Sequence, residues 1–588
     1  MNNIFYKPYM GDGKPVYFPY TREKLTERPI FPAYVYDGGA FLFINDVFDA
    51  ADSDRLLKLI LSGELFAYWT IDGKFDWSAV YKKWTRCGGL GNEWEAHYWL
   101  NRLYILLPLA QQFCRTGDRT CSDLWYKLLF DWFENNPYDP TQVGTDNNRI
   151  WRDMQVAWRT INIVHSIFLF GREDVFTEEQ WQRIYALVKL HAAHLYKESV
   201  VHVRTRITGN HKLQIAMADI MVGCLFPEFE NSAEYVEAGR LMVAENLKQA
   251  IKKDGVSHEN AVSYAHFIAR LYLEAELLLR LNGHETVAGL AESIQKQYEY
   301  LYQYSSPDGL TMQIGDSYAM DAIADIEFVS SFYPLTFPRE KKPILFAESQ
   351  LAVLRNRRFD VYIDAMRPNP NGNGYTWHQH YGKPTFAAYI DGRPVIVDRG
   401  CPNYNRSDLY IPLYIESGHN VITCDEIPLA QKADVIPTDA ATDIRITDYR
   451  ADGDCQSLTV RNTVSDPGGR SYTWVRVFEL REDSLRIRDT VTASEKMHFT
   501  SYLYVPGFHD LNCRLEPVMP SQEMRSGSGR LDIRADDRVE SILTDSPFLF
   551  ECRPCINCRN RIDYADALIR GFDTDHIEEN TVIRIEDR

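Results

Sequence analysis

The chain lacks any excess of positive charge: its 588 residues carry 64 Lys and Arg against 82 Asp and Glu, a net charge of −18. A general nucleic-acid binder needs a basic face, so that class is set aside. The same field opposes a polyanionic substrate unless a local basic patch receives it. Arg204 with Arg206, or Arg399 with Arg406, are the candidates for such a patch. Long apolar runs are missing too. No uninterrupted apolar stretch approaches 18 residues, so no membrane span and no membrane partner are expected. The N-terminus, MNNIFYKPYMGDGKPVYF, has no basic region followed by an apolar one, and no secretory leader is read there. The expectation is a cytoplasmic protein, or a periplasmic or secreted one if a leader has been removed. Cysteine is odd in number, 11 residues scattered along the chain, which argues for free thiols over a disulfide framework. One cluster, Cys552, Cys555 and Cys558 in CRPCINC, has metal-binding spacing but no evident fourth ligand.

What is present is a globular composition, 45% hydrophobic and 13% aromatic with 35 Tyr and 12 Trp. The length exceeds one ordinary core, so two or more large domains are expected. Tyr and Trp stack on sugar faces and offer a polar tip to hydroxyls, although an aromatic-rich core has the same composition.

From about residue 50 to 305 apolar residues recur at three and four, as in SDLWYKLLFDWFENN and EEQWQRIYALVKLHAAHLYK. Helices of this kind follow one another without intervening strands, the pattern of a toroid or solenoid of helical hairpins or, since no tight sequence repeat is evident, of a bundle of another kind. Past the Pro- and charge-rich stretch 337–343 the period changes to two. LAVLRN, FDVYIDAM, TFAAYIDGRPVIVD, SLTVRNTV and YTWVRVFEL read as strands, with a hairpin turn at Asp391-Gly392. The expected organisation is an N-terminal extension over 1–50, a helical domain over 51–336 and an antiparallel β-sandwich over 344–588.

Three groups of residues carry chemistry. ITGNHKLQIAMADIM places Asn210 and His211 where a loop becomes an apolar helix; Asn210 equally fits a helix cap. Tyr264 follows 54 positions later, at the start of another long helix, where a packing role is the plainer reading. In the β half, a glycine-rich loop carries His378 and His380, a hairpin delivers Asp398, and His419-Asn420 comes later. Two His and one Asp from neighbouring strand ends make a plausible zinc set.

The stretch from His378 to Asn420 resembles the C-terminal domain of heparinase II/III-type polysaccharide lyases, whose pattern is HxH, an apolar hairpin ending in D-x-G, and a later H-N. The sequence supplies His378-Gln379-His380, Asp398-Arg399-Gly400 and His419-Asn420. The helical half is similar as well: those lyases carry an Asn, often Asn-His, and a Tyr some fifty residues on. The resemblance spans residues 50–505 and implies an incomplete (α/α) toroid followed by an antiparallel β-sandwich, with the active site in the cleft between them. It departs from the pattern in two places: HQHYGKPTF lacks the Asp that often follows the HxH pair, and Ala265 stands where a His often follows the Tyr.

The implied reaction is β-elimination on a uronic-acid polysaccharide, leaving a 4,5-unsaturated uronate. Asn210, helped by His211, would neutralise the substrate carboxylate. Tyr264 would transfer protons, and His378 would act on the opposite sugar face, so that either C5 epimer is accepted. A structural divalent metal, zinc by donor type, would be held by His380, Asp398 and His419. Arg204, Arg206, Trp377, Tyr404 and Tyr414 are the substrate-binding candidates, with Tyr410 beside them. The substrate partner would be an anionic polysaccharide or oligosaccharide, a glycosaminoglycan first and alginate, gellan or another uronan behind it; a homo-oligomer is left open. The alternatives are a glycoside hydrolase using Glu259 and Asp316 as paired carboxylates, or a non-catalytic glycan-binding protein on the same scaffold.

Overall fold

The computed structural model describes residues 3–5, 7, 15–28, 33–37, 40–44, 101–140, 150–171, 174–205, 209–366, 378, 380–401, 410–430, 438–451, 455–507, 516–517, 529–535, 538–556 and 562–587. Two compact units divide the chain. The first comprises 1–251, 266–298 and 325–336; the second comprises 252–265, 299–324 and 337–588. The change of period near residue 337 thus coincides with a unit boundary. The second unit also takes in two segments, 252–265 and 299–324, from the stretch that reads as helical domain. Side-chain contacts explain why. Asp254 accepts from both the backbone and the hydroxyl of Ser349 (2.9 and 2.8 Å), and Tyr304 packs edge-on against Tyr362.

The first unit is a succession of helices, the described ones including Arg119–Asn135, Met154–Phe170, Glu178–Thr205, Asn210–Leu225 and Ser232–Ala250. Their apolar stripes bury one another, and Asn210–Leu225 is buried along almost its whole length, so it reads as a central helix rather than an amphipathic one. Close approach is needed where Ser232–Ala250 crosses it: a Cβ on Gly239 would lie 2.6 Å from the Ala216 carbonyl oxygen. No helix among the described residues is long and apolar enough to cross a membrane. This helical unit is the incomplete (α/α) toroid expected from the sequence.

In the second unit, Ile344–Phe346, Leu351–Arg355, Phe359–Asp364, Thr385–Ile390 and Arg393–Ile396 form a five-stranded antiparallel meander. A ten-stranded antiparallel sheet is built around the long pair Ser484–Pro506 and Ile562–Asp587. Ser471–Arg481 alternates buried and part-exposed residues without a break, as a sheet with one covered face requires. Leu354, Val361, Phe386 and Ala388 of the smaller sheet pack with Leu458, Val460, Phe478 and Leu485 of the larger in one core. That core makes the unit a β-sandwich. The hairpin turn lies at Asp391-Gly392, both with positive φ (48° and 80°), the geometry of a type I′ turn.

Candidate active site

In the first unit, the helix Asn210–Leu225 begins after Gly209, whose φ of 94° makes it the cap residue, and no side chain caps this end. Asn210 is therefore the first helical residue and not the cap. Its Oδ1 accepts from Gln214 Nε2 one turn on, at 2.7 Å. With the oxygen committed there, the amide turns its NH2 end away from Gln214 as a donor. The approach to this helix is pinned by Asn246, whose Nδ2 donates to the Gly209 carbonyl (2.7 Å) while its Oδ1 accepts from the Tyr272 hydroxyl (2.5 Å). His211 follows, half-exposed, its Nδ1 lying 2.5 Å from Asp153 Oδ2. Asp153 holds a left-handed backbone (φ 56°) just before the helix Met154–Phe170. Strained conformations of this sort collect at functional positions.

In the second unit, Tyr264 stands in the first turn of the helix Val262–Leu281. Its ring stacks on the imidazole of His378, centroids 3.8 Å apart at 20°. This contact joins two of the sequence candidates and also corrects one expectation. Rings in van der Waals contact leave no room for a sugar, so Tyr264 and His378 do not face each other across a substrate. His378 Nδ1 lies 2.9 Å from Asp316 Oδ2, and its Nε2 lies 3.6 Å from Glu259 Oε2. Burial alone would raise the Asp316 carboxyl, but hydrogen bonds and charge from His378 and His380 outweigh it and hold the group well below the usual carboxylate range.

His380 forms the next layer. Its Nε2 is 2.9 Å from Asp316 Oδ1, which also accepts from the Cys401 thiol at 3.3 Å. Asp316, His380 and Cys401 are all buried and bring their ligand atoms within 4.8 Å of one another, a group able to hold a metal ion. The other two expected ligands lie close by. His419 Nδ1 is 2.8 Å from Asp398 Oδ2, and the His380 and His419 ring centroids are 5.1 Å apart. His380 Nδ1, Asp398 Oδ1 and His419 Nε2 are buried without a hydrogen-bond partner. Each of these atoms is an unmade bond that costs about 1–3 kcal/mol, but among the described residues the group whose ligand atoms come together is Asp316, His380 and Cys401, so of the expected ligands His380, Asp398 and His419 it contains His380 alone.

Asn420, expected only as part of a motif, is fully buried. Its Nδ2 donates to the Phe386 and Val397 carbonyls, and its Oδ1 accepts from the Tyr504 backbone (2.7, 2.8 and 2.7 Å). Tyr414 packs its ring 4.6 Å from that of His380, a neighbour of the metal candidates as much as a substrate platform. Trp377, Tyr404, Arg206, Arg406 and the side chains of Arg204 and Tyr410 lie outside the described residues. Arg399 is no surface patch: it is 1% exposed and donates to the Pro554 and Pro412 carbonyls. A guanidinium buried against carbonyls of a strand and a short helix ties those elements together and has no face left for a polyanion. Cys552 and Cys555 lie three apart on the strand Leu549–Ile556, one exposed and one buried, so they point to opposite faces and do not share an ion. Cys558 lies outside the described residues.

Sequence reasoning gave Asp316 only as a hydrolase carboxylate and missed Cys401 and Asp153. The one available signal for Asp316 is its place in QIGDS, a Gly-Asp pair in a loop, which is common in any protein.

Comparison with known proteins is consistent with this geometry. A family described as "Heparinase II/III N-terminus" matches residues 49–342, and "Heparinase II/III-like, C-terminal" matches residues 338–546. A heparin-sulfate lyase of Pedobacter heparinus is 24% identical over 232 residues, covering 39% of this chain and 34% of that protein. One from Bacteroides thetaiotaomicron is 25% identical over 211 residues, covering 36% of this chain and 29% of that protein. The chain thus spans about a third of the length of these curated relatives. A crystal structure of heparinase III superposes with a TM-score of 0.70 at 17% identity, covering 88% of this chain and 80% of that one, which establishes the fold.

Proposed function

We propose that this chain, which belongs to the heparinase II/III-like family, is a polysaccharide lyase that cleaves a glycosaminoglycan at its uronate residues by β-elimination. The stacked Tyr264–His378 pair carries this reading. The reaction needs a base for the C5 proton and an acid for the departing O4, and the pair places an imidazole and a phenol side by side. A phenol that carries its proton can act as an acid and not as a base. His378 Nε2 therefore takes the C5 proton, the C–H electron pair becomes the C4=C5 double bond, and the C4–O4 bond breaks as the Tyr264 hydroxyl protonates O4. The adjacent imidazolium can then return its proton to the phenolate. Because both groups stand on one side, the favoured epimer is the one whose C5 hydrogen and O4 leave from the same face, the D-glucuronate configuration.

The C5 proton is only weakly acidic while the neighbouring carboxylate is ionised, since its removal accumulates negative charge. The Asn210 amide, with His211 beside it, is the donor set assigned to that carboxylate. A divalent ion, zinc by donor chemistry, is assigned to His380 Nδ1, Asp398 and His419; bound there it would fix the loop that presents His378 and would take no part in the elimination. The relatives named heparin-sulfate lyases make heparan sulfate the first substrate to try.

A glycoside hydrolase needs one carboxylic acid kept protonated near neutral pH. Asp316 is shifted the other way, and both it and Glu259 are turned to His378. The deciding experiment is incubation with heparan sulfate, heparin, chondroitin sulfate, hyaluronan and alginate, followed by ultraviolet absorbance and mass spectrometry. An unsaturated, dehydrated new end is expected. Addition of water at every cleaved bond would refute the lyase.

A further inference from the structure

Asp316 grips His378 at two points. Its backbone N–H donates to the His378 carbonyl oxygen at 3.1 Å, and its Oδ2 lies 2.9 Å from His378 Nδ1. The grip is needed because His378 sits at φ 63°, a left-handed backbone that a non-glycine residue adopts only under constraint. The residue before Asp316 is fitted to the same purpose. Gly315 has φ 70°, and a Cβ there would approach the His378 carbonyl oxygen to 3.0 Å and that of Asn260 to 3.3 Å. Asp316 is anchored in turn: His380 and the Cys401 thiol both bond Oδ1, and Ser317 beside it accepts from the backbone of Ser263.

We infer that Asp316 is a positioning residue for the proposed elimination, which fixes the tautomer of His378 so that Nε2 is the proton-accepting nitrogen. An ionised carboxylate only accepts, so the imidazole hydrogen is held at Nδ1. The lone pair is then on Nε2, at the end of the ring turned from Asp316. Once Nε2 takes a proton, two carboxylates, Asp316 at Nδ1 and Glu259 at 3.6 Å from Nε2, flank the imidazolium. The arrangement parallels a carboxylate that orients a catalytic histidine in acyl transfer, where loss of the carboxylate leaves the wrong tautomer. This inference rests on the lyase reading for its kinetic readout alone.

The test uses the full chain labelled with 15N-histidine, with the His378 signals identified by their loss in His378→Gln. Wild-type protein is expected to show His378 protonated at Nδ1 and unprotonated at Nε2. Asp316→Asn offers an amide that donates to Nδ1, so the hydrogen is expected to move to Nε2. With heparan sulfate as substrate, kcat should fall by about 100–10,000-fold while KM stays within about threefold. A His378 protonated at Nε2 in the wild type overturns the inference without any variant, which covers the case in which Asp316→Asn fails to fold. A folded Asp316→Asn with an unmoved hydrogen, or with kcat near wild type, overturns it as well. If no uronate polysaccharide is cleaved, the lyase reading fails and the nitrogen spectra still decide the role of Asp316.

Discussion

The start of the helix Asn210–Leu225 and the position of His378 solve the same problem in different ways. Asn210 is aimed by its own helix: Gln214, four residues on, holds the amide oxygen, and the helical turn brings the two together. Among the described residues, the supports of His378 come from far along the chain. The residue sits at a left-handed φ and is held by Asp316, 62 residues earlier in the chain, with Tyr264 stacked on its face. A donor needed for charge can be set by local helical geometry. A nitrogen needed in one protonation state requires a specific acceptor, which here comes from a distant segment.

If that contrast is right, substitutions in the two regions should separate on a common scale, one factor of ten in rate being about 1.4 kcal/mol. The largest effect is expected at Tyr264. Tyr264→Phe keeps the ring on His378 and removes the proposed acid, so turnover should drop by about 1,000–10,000-fold with an unchanged melting temperature. Steady-state kinetics beside a melting curve would show it, and near-normal turnover would remove Tyr264 from the chemistry.

Asn210→Ala comes next. Loss of one donor to developing charge should cost about 100–1,000-fold in kcat, with KM moved only a few-fold. Gly209 is the cap, so the variant should keep most of its stability. A variant that loses stability and retains activity would make Asn210 a scaffold residue and break the comparison.

Asn420→Ala sharpens it from the other side. Its three hydrogen bonds join the Phe386, Val397 and Tyr504 backbones, and their loss should lower unfolding free energy by about 3 kcal/mol in urea titration. A loss below about 1 kcal/mol would mean that neighbouring groups take over those bonds. The smallest effect belongs to Cys552, which lies on a solvent face outside both regions. Cys552→Ser should shift stability by less than about 0.5 kcal/mol and leave the metal content of the purified protein unchanged. Metal lost in this variant alone would return the cysteine cluster to the metal question.

Much of the fold was legible because its signals are periodic. Apolar residues at three and four marked helices such as Met154–Phe170, and strict alternation marked Ser471–Arg481. The segments 252–265 and 299–324 were not legible as part of the second unit, because side-chain contacts rather than periodicity place them there. Among the candidate site residues, Asn210, His211, Tyr264, His378 and His380 could be named from motif order. Asp316 could not be assigned to His378, since no spacing rule relates a loop aspartate to a histidine 62 positions later. Arg399 misled for a related reason: a lone arginine in a loop reads as solvent-facing until the carbonyls that surround it are known.

The sequence by itself determined the helical and β halves, the type I′ hairpin at Asp391-Gly392, and the residue types available for chemistry. Each of these follows from local sterics or from a period in apolar residues, and local physics is written in consecutive positions. Only the tertiary structure decided that Tyr264 lies on His378 rather than opposite it, that Gly209 and not Asn210 caps the helix, and that one carboxylate serves both His378 and His380. The stacking and the shared carboxylate depend on distances between groups far apart in the chain, which packing of the folded core sets. The cap is a backbone dihedral, which residue identity left open between two neighbouring positions.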